Sequence, residues 1–109
     1  MELNTYQSLA LKTKKAHTTQ KDEEIDGLLG LAGEAGEVCD LLKKHYAIGA
    51  PLDRTKLIKE LGDVLWYLAE LGHAFNFTLD EIASVNLEKL AARHGESFSG
   101  VGNRQGKGQ

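Results

Sequence analysis

The chain is short of several residue types that small proteins use to hold themselves together. It has one cysteine, Cys39, among 109 residues, so no intrachain disulfide can form. That cysteine and four scattered histidines (His17, His45, His73 and His94) match no zinc-ligand spacing. Cys39 falls on an apolar helical stripe and is expected to be a small core residue. Pro51 is the only proline, so long uninterrupted helices are allowed. No sustained period-2 alternation of β-branched residues is present, which removes the usual signature of strands.

Two further absences bear on location and partners. No apolar run is long enough to span a membrane. Residues 1–15 carry polar side chains throughout and do not read as a signal peptide, so a cytoplasmic protein is expected. There is no excess of positive charge: 13 Lys and Arg stand against 16 Asp and Glu, a formal net charge of -3. This argues against a nucleic-acid backbone or an anionic membrane as partner. It leaves room for a small anion held locally by a metal and a few cations.

What the chain does have is helical periodicity over four segments. The first is expected over residues 5–17, after an Asn4 cap. Residues 18–21 read as a loop. The second helix is expected over residues 22–48, with Ile25, Leu28, Leu29, Ala32, Gly36 and Cys39 on one stripe and Gly49 and Pro51 ending it. The third is expected from an Asp53 cap to about Phe75. Leu57, Leu61, Val64, Leu65, Leu68, Leu71 and Phe75 form its predicted core face. The fourth begins at Thr78, with Glu81 three residues on as a capping box, and runs to about His94, where Gly95 can stop it. Length and pattern predict an all-α fold, a four-helix bundle over residues 1–98 with helices two and three antiparallel. Residues 99–109 read as a flexible, Gly-rich tail.

Two acidic pairs are set into these helices: Glu34 with Glu37, and Glu60 with Asp63. Each pair is spaced i, i+3, so each points to one side of its helix. Leu31, Val38 and Leu41 flank the first pair, and Tyr67 falls on the arc of the second. One such pair on a helix is usually a solvated face. Two pairs flanked by apolar residues, on helices expected to pack together, are a different matter. Four converging carboxylates repel one another and lose hydration, and a hard cation relieves both costs. A carboxylate-only ligand set selects Mg²⁺, with Mn²⁺ able to substitute.

Helix four carries a second constellation. Ile82, Asn86, Lys89 and Arg93 share one face, and an amide with two cations in a row suits a polyphosphate chain. Taken alone the row is an ordinary surface stripe. Trp66 stands beside Tyr67 but about 180° from the core centre of helix three, so it serves either a nucleoside pocket or a subunit interface. Glu70 and His73 form a single E-x-x-H. Di-iron bundles need two such motifs, and this one reads as a solvated outer face.

The segments LAGEAGEVCD (31–40), KELGDVLWYL (59–68) and NLEKLAARHG (86–95) resemble the MazG-like nucleotide pyrophosphohydrolases of the all-α NTP pyrophosphatase superfamily. The resemblance spans roughly residues 27–98. It implies a helical homodimer or homotetramer, assembled by helix packing, that cleaves an NTP or dNTP to the monophosphate and pyrophosphate with Mg²⁺. By position it implies Glu34, Glu37, Glu60 and Asp63 as metal ligands. It also implies Asn86 and Lys89 at phosphate or sugar, and Tyr67 at the nucleoside. Gly33 stands where many members carry a further Glu. House-cleaning of dNTPs with a dCTP-like preference is the expected role. A phosphoribosyl-ATP pyrophosphohydrolase and a non-catalytic nucleotide-binding module are the alternatives.

Overall fold

Polar caps decide where the two long helices begin. Thr19 Oγ1 accepts the Asp22 N–H at 3.1 Å and starts α2, Gln20–Ile48. Asp22 and Glu23 in its first turn complement the helix dipole. Asp53 Oδ1 accepts the Lys56 N–H at 3.0 Å and starts α3, Arg54–Ala74, where the sequence placed that cap. Gly49 ends α2 in the left-handed conformation at φ 72°, with its N–H turned back to the Lys44 carbonyl. The structure, a computed structural model, describes residues 1–17 and 19–95. The predicted tail, 99–109, and the last residues of the predicted domain lie outside that range.

The first helix is shorter than its periodicity suggests. α1 is Leu3–Ala10, entered from Glu2 rather than from an Asn4 cap, and it continues as a 3₁₀ turn, Leu11–Thr13. The Thr13 hydroxyl donates to the Ala10 carbonyl at 2.7 Å and Lys14 turns extended, which stops the helix well before residue 17. The loop expected over 18–21 is shorter too, because α2 already starts at Gln20. α4 is Leu79–His94, as expected, and Gly95 at φ 60° stops it with its N–H on Ala91. All four helices are α, and no strand occurs among the described residues. The chain divides into two units, Met1–Leu79 and Asp80–Gln109.

Within the first unit α2 and α3 run antiparallel. Their partners pair in opposite order along the chain. Gln20 Nε2 donates to the Ala74 carbonyl at 2.6 Å, and His73 Nδ1 meets Glu23 Oε2 at 3.0 Å. Further on, Gly27 faces Leu71 and Gly30 faces Tyr67. Both glycines are there for space. A Cβ on Gly27 would come within 3.2 Å of Leu71, and one on Gly30 would overlap the Tyr67 ring. Removing two side chains brings the helices together at these points.

A single amide ties α1 to the far end of α3. Gln7 is buried, and its Nε2 donates to the Ala69 carbonyl at 3.0 Å and the Phe77 carbonyl at 3.3 Å. Its Oε1 accepts the Leu79 N–H at 2.9 Å. Both N–H groups of the amide and its oxygen are therefore engaged by backbone. Between the two carbonyls the chain reverses at Asn76, φ 64°, a left-handed position that Asn tolerates.

Several predicted core residues turn out to be open to solvent. The apolar residues that the chain buries are small or few: Ala69, Ala74 and Leu79. Cys39 is exposed rather than core. On the predicted core face of α3, Leu61, Leu68 and Phe75 are exposed, while Leu57, Val64, Leu65 and Leu71 are half-buried. The α2 stripe is likewise open at Ile25, Leu28 and Leu29. The reverse error concerns Glu70, read as solvated: it is 0% exposed and is the largest fully buried side chain. The segment from α1 through His17 covers that flank of α3, and no helical wheel of α3 alone could reveal it.

Candidate metal centre and active site

The antiparallel register carries the two acidic motifs to one place. Ligand oxygens of Glu34 on α2 and of Glu60 and Asp63 on α3 all lie within 4.8 Å of one another. Glu34 and Glu60 are half-buried, and Asp63 is exposed at the rim. Glu37, one turn further along α2, is exposed and stands outside this group of three. It is still close enough to act on Glu34 electrostatically. Partial burial, then the charges of Asp63, Glu60 and Glu37, push the Glu34 carboxyl above its usual range.

The residues fit a divalent cation. Three carboxylates within one ion's reach, with no His or Cys among them, form a hard oxygen set of the kind that Mg²⁺ and Mn²⁺ take. Burial first, and then the charges of its acidic neighbours, oppose ionisation of Glu34. A cation held by the three would offset the repulsion among them.

Beside the acids lies a recess of about 380 Å³ lined by Thr13, Glu34, Asp63, Trp66 and Tyr67. Trp66 and Tyr67 meet edge to face, with ring centroids 5.0 Å apart. Trp66 does not look outward from the chain. Its Nε1 donates to the Ala10 carbonyl at 3.1 Å and to Thr13 Oγ1 at 3.0 Å, which fastens the 3₁₀ turn to α3. Tyr67 packs on Gly30, and burial together with Asp26, Glu34, Glu70 and Asp63 pushes its phenol up, so it stays neutral.

Two residues of this neighbourhood went unnoticed in the sequence. Thr13 lines the recess, and Tyr6 is close enough to Asp63 that burial and that charge raise its phenol. Both sit some fifty residues from the motif they join, and no local pattern marks them. The third group of predicted site residues, Asn86, Lys89 and Arg93, lies exposed on α4, in the second unit.

Among known proteins, the MazG nucleotide pyrophosphohydrolase domain matches residues 23–98, a stretch that contains both acidic motifs and α4. The Gene 37 protein of Mycobacterium phage L5 is 34% identical over 101 residues, covering 85% of this chain and 89% of that protein. No solved structure matches. A domain match over most of the chain, on an all-helical scaffold that gathers its acids at one point, places this chain in the MazG nucleotide pyrophosphohydrolase domain family.

Proposed function

We propose that the chain is a Mg²⁺-dependent pyrophosphohydrolase that cleaves a nucleoside triphosphate to the monophosphate and pyrophosphate. The observation that carries this is the convergence of Glu34, Glu60 and Asp63. These three would hold the cation, with Mn²⁺ able to replace Mg²⁺. When bound, the cation lowers the pKa of water and offsets phosphate charge.

The protein's own groups do the rest. Glu37, whose charge acts on Glu34, would join Glu34, Glu60 and Asp63 as a fourth ligand, and either Glu34 or Glu37 would orient and deprotonate the attacking water. Attack at the α-phosphorus breaks its bond to the bridging oxygen and releases pyrophosphate. Lys89 and Arg93 offset the charge that builds on that leaving group, and Asn86 bonds phosphate or sugar. Tyr67, neutral and beside a recess at the acids, stacks on the nucleoside, with Trp66 edge-on behind it. Substrates are dNTPs in a house-cleaning role, with a dCTP-like pyrimidine preferred.

The active form is a homodimer or homotetramer. The open apolar residues of α2 and α3, Leu28, Leu29, Leu61 and Phe75 among them, support this reading. No helix among the described residues is long and apolar enough to cross a membrane.

The test is pyrophosphate release from a panel of NTPs and dNTPs, with Mg²⁺ and with excess EDTA. Metal-dependent monophosphate plus pyrophosphate from one or a few of them is the expected result. Release from phosphoribosyl-ATP alone would assign a different substrate. Release from none would leave a nucleotide-binding module.

A further inference from the structure

A second cluster of ligand-type side chains lies between the same two helices, and the reaction proposed above makes no use of it. We propose that His17, Asp26 and Glu70 form a separate divalent-cation site for a borderline transition metal such as Zn²⁺. The inference stands independently of the pyrophosphohydrolase reading.

The geometry is that of a coordination shell. Asp26 projects from α2, Glu70 from α3, and His17 from the segment that precedes α2. One ligand atom from each lies within 4.8 Å of the others. His17 Nε2 is 3.2 Å from Glu70 Oε2 and 3.9 Å from Asp26 Oδ2. Bonds of about 2.0–2.2 Å from a tetrahedral ion to such ligands put neighbouring ligand atoms roughly 3.4 Å apart. The two distances to His17 differ from that spacing by only a few tenths of an ångström.

Burial supplies the second observation. Glu70 is 0% exposed, and its Oε1 is buried without a hydrogen-bond partner. A buried carboxylate oxygen left in that state carries its full desolvation cost. Burial, a hydrogen bond to the Asp26 carboxyl and the Asp26 charge push the Glu70 carboxyl up, while His17 works in the opposite direction. The cluster thus sets one fully buried acid, Glu70, and one 44% exposed acid, Asp26, beside a single imidazole. A dication bound there would balance both acids.

The ligand types choose the metal. One imidazole nitrogen with two carboxylate oxygens suits Zn²⁺ or Co²⁺ better than the all-oxygen preference of Mg²⁺. The cluster is also distinct from the acidic trio in place. Asp26 precedes Glu34 by eight residues, and Glu70 follows Asp63 by seven, which separates the two along the helices by roughly 10–12 Å. Tyr67 stands between them and feels carboxylates of both. An ion can reach the new site from outside, because His17 also lines a polar recess with Lys14, Thr19, Gln20 and Glu23. Bound there, it would pin the segment before α2 to α3.

The test uses the full chain, stripped with EDTA and then held in excess Mg²⁺ so that the acidic trio is occupied. Zn²⁺ titrated by calorimetry is expected to bind at one ion per chain and to raise the thermal midpoint. Co²⁺ in its place is expected to give the visible absorption of a nitrogen- and oxygen-ligated ion. His17→Ala and Glu70→Gln should each weaken Zn²⁺ at least about tenfold, since even partners one step removed from a metal are worth that much. Asp26→Asn, at a half-exposed position, reads the same loss should a change at the buried glutamate unfold the chain. Glu34→Gln should keep the Zn²⁺. No stoichiometric Zn²⁺ under Mg²⁺, retention by all three cluster variants, or loss in Glu34→Gln would overturn the assignment.

Discussion

Gly30 on α2 and Tyr67 on α3 occupy the same place: the phenol ring lies where any side chain at position 30 would begin. One helical turn further on, Glu34 meets Asp63. The contact that sets how close the helices come is thus one turn from the contact that gathers the acids.

Gly30→Ala tests this directly. Alanine gains about 1 kcal/mol of helix propensity over glycine, yet here its methyl overlaps the ring. The overlap wins, because the new Cβ would lie 2.1–2.4 Å from three atoms of the Tyr67 ring. A net loss of about 1–3 kcal/mol is expected, with activity falling as Tyr67 is displaced. Gly33→Ala is the control, since nothing lies within 4 Å of a Cβ there, and it should be neutral or stabilising. The thermal midpoint of Gly30→Ala should fall, and that of Gly33→Ala should not.

Replacing Glu34 by Gln should separate stability from metal binding. Burial and three neighbouring acids raise the Glu34 carboxyl, so its charge opposes folding when no cation is present. The variant should therefore melt higher than wild type in EDTA. It should also lose most of the rise that Mg²⁺ gives wild type, about 2.7 kcal/mol at a hundredfold excess over Kd. Melting curves with and without Mg²⁺ give both numbers, and a variant that keeps the full Mg²⁺ shift would remove Glu34 from the ligand set.

Gln7→Leu should destabilise out of proportion to its size. The amide satisfies the Ala69 and Phe77 carbonyls and the Leu79 N–H, and leucine leaves these buried groups unpaired. A loss of about 3 kcal/mol is expected in urea unfolding. Hydrogen exchange should rise first at Leu79, whose N–H has lost its acceptor.

Glu23 should impose an acid limit on stability. Burial alone would raise its carboxyl, but hydrogen bonds and charge from Lys14 at 2.9 Å and His73 at 3.0 Å prevail and hold it below the ordinary range. A carboxyl lower in the folded state than in the unfolded one stabilises above its unfolded pKa of about 4.3. That contribution disappears as pH falls through the folded value. Glu23→Gln should be less stable than wild type near neutrality, and the gap should close in acid. A gap that stays constant with pH would show that the pair contributes nothing.

The parts legible in the sequence were those that one helix decides by itself. Asp53 and Gly49 are caps, and their geometry depends on residues within a few positions. The acidic pairs were legible because their spacing matches the helix and recurs on a second one. Burial was not legible, because it depends on which element covers which face. Glu70 and His73 looked solvated on a wheel of α3, yet His17, fifty-three residues away, closes over Glu70. The apolar faces failed in the other direction: periodicity showed that Leu28, Leu61 and Phe75 want cover, and among the described residues they stay about half exposed. Trp66 was ambiguous for the same reason, until the Ala10 carbonyl and Thr13 supplied the partner that its N–H required.

The equal step from Gly30 to Glu34 and from Asp63 to Tyr67, four residues on each helix, makes the pair behave like meshed gears. A substitution inside either step changes a tooth. An inserted or deleted residue turns the whole wheel by about 100° and swings an acid off the shared axis while the aromatic notch stays engaged. Chain length between notch and acid is therefore under tighter constraint than residue identity there. Lineages descended from this chain should keep the count across 31–33 and 64–66 even where letters change, with Trp66 retained for its bonds to Ala10 and Thr13.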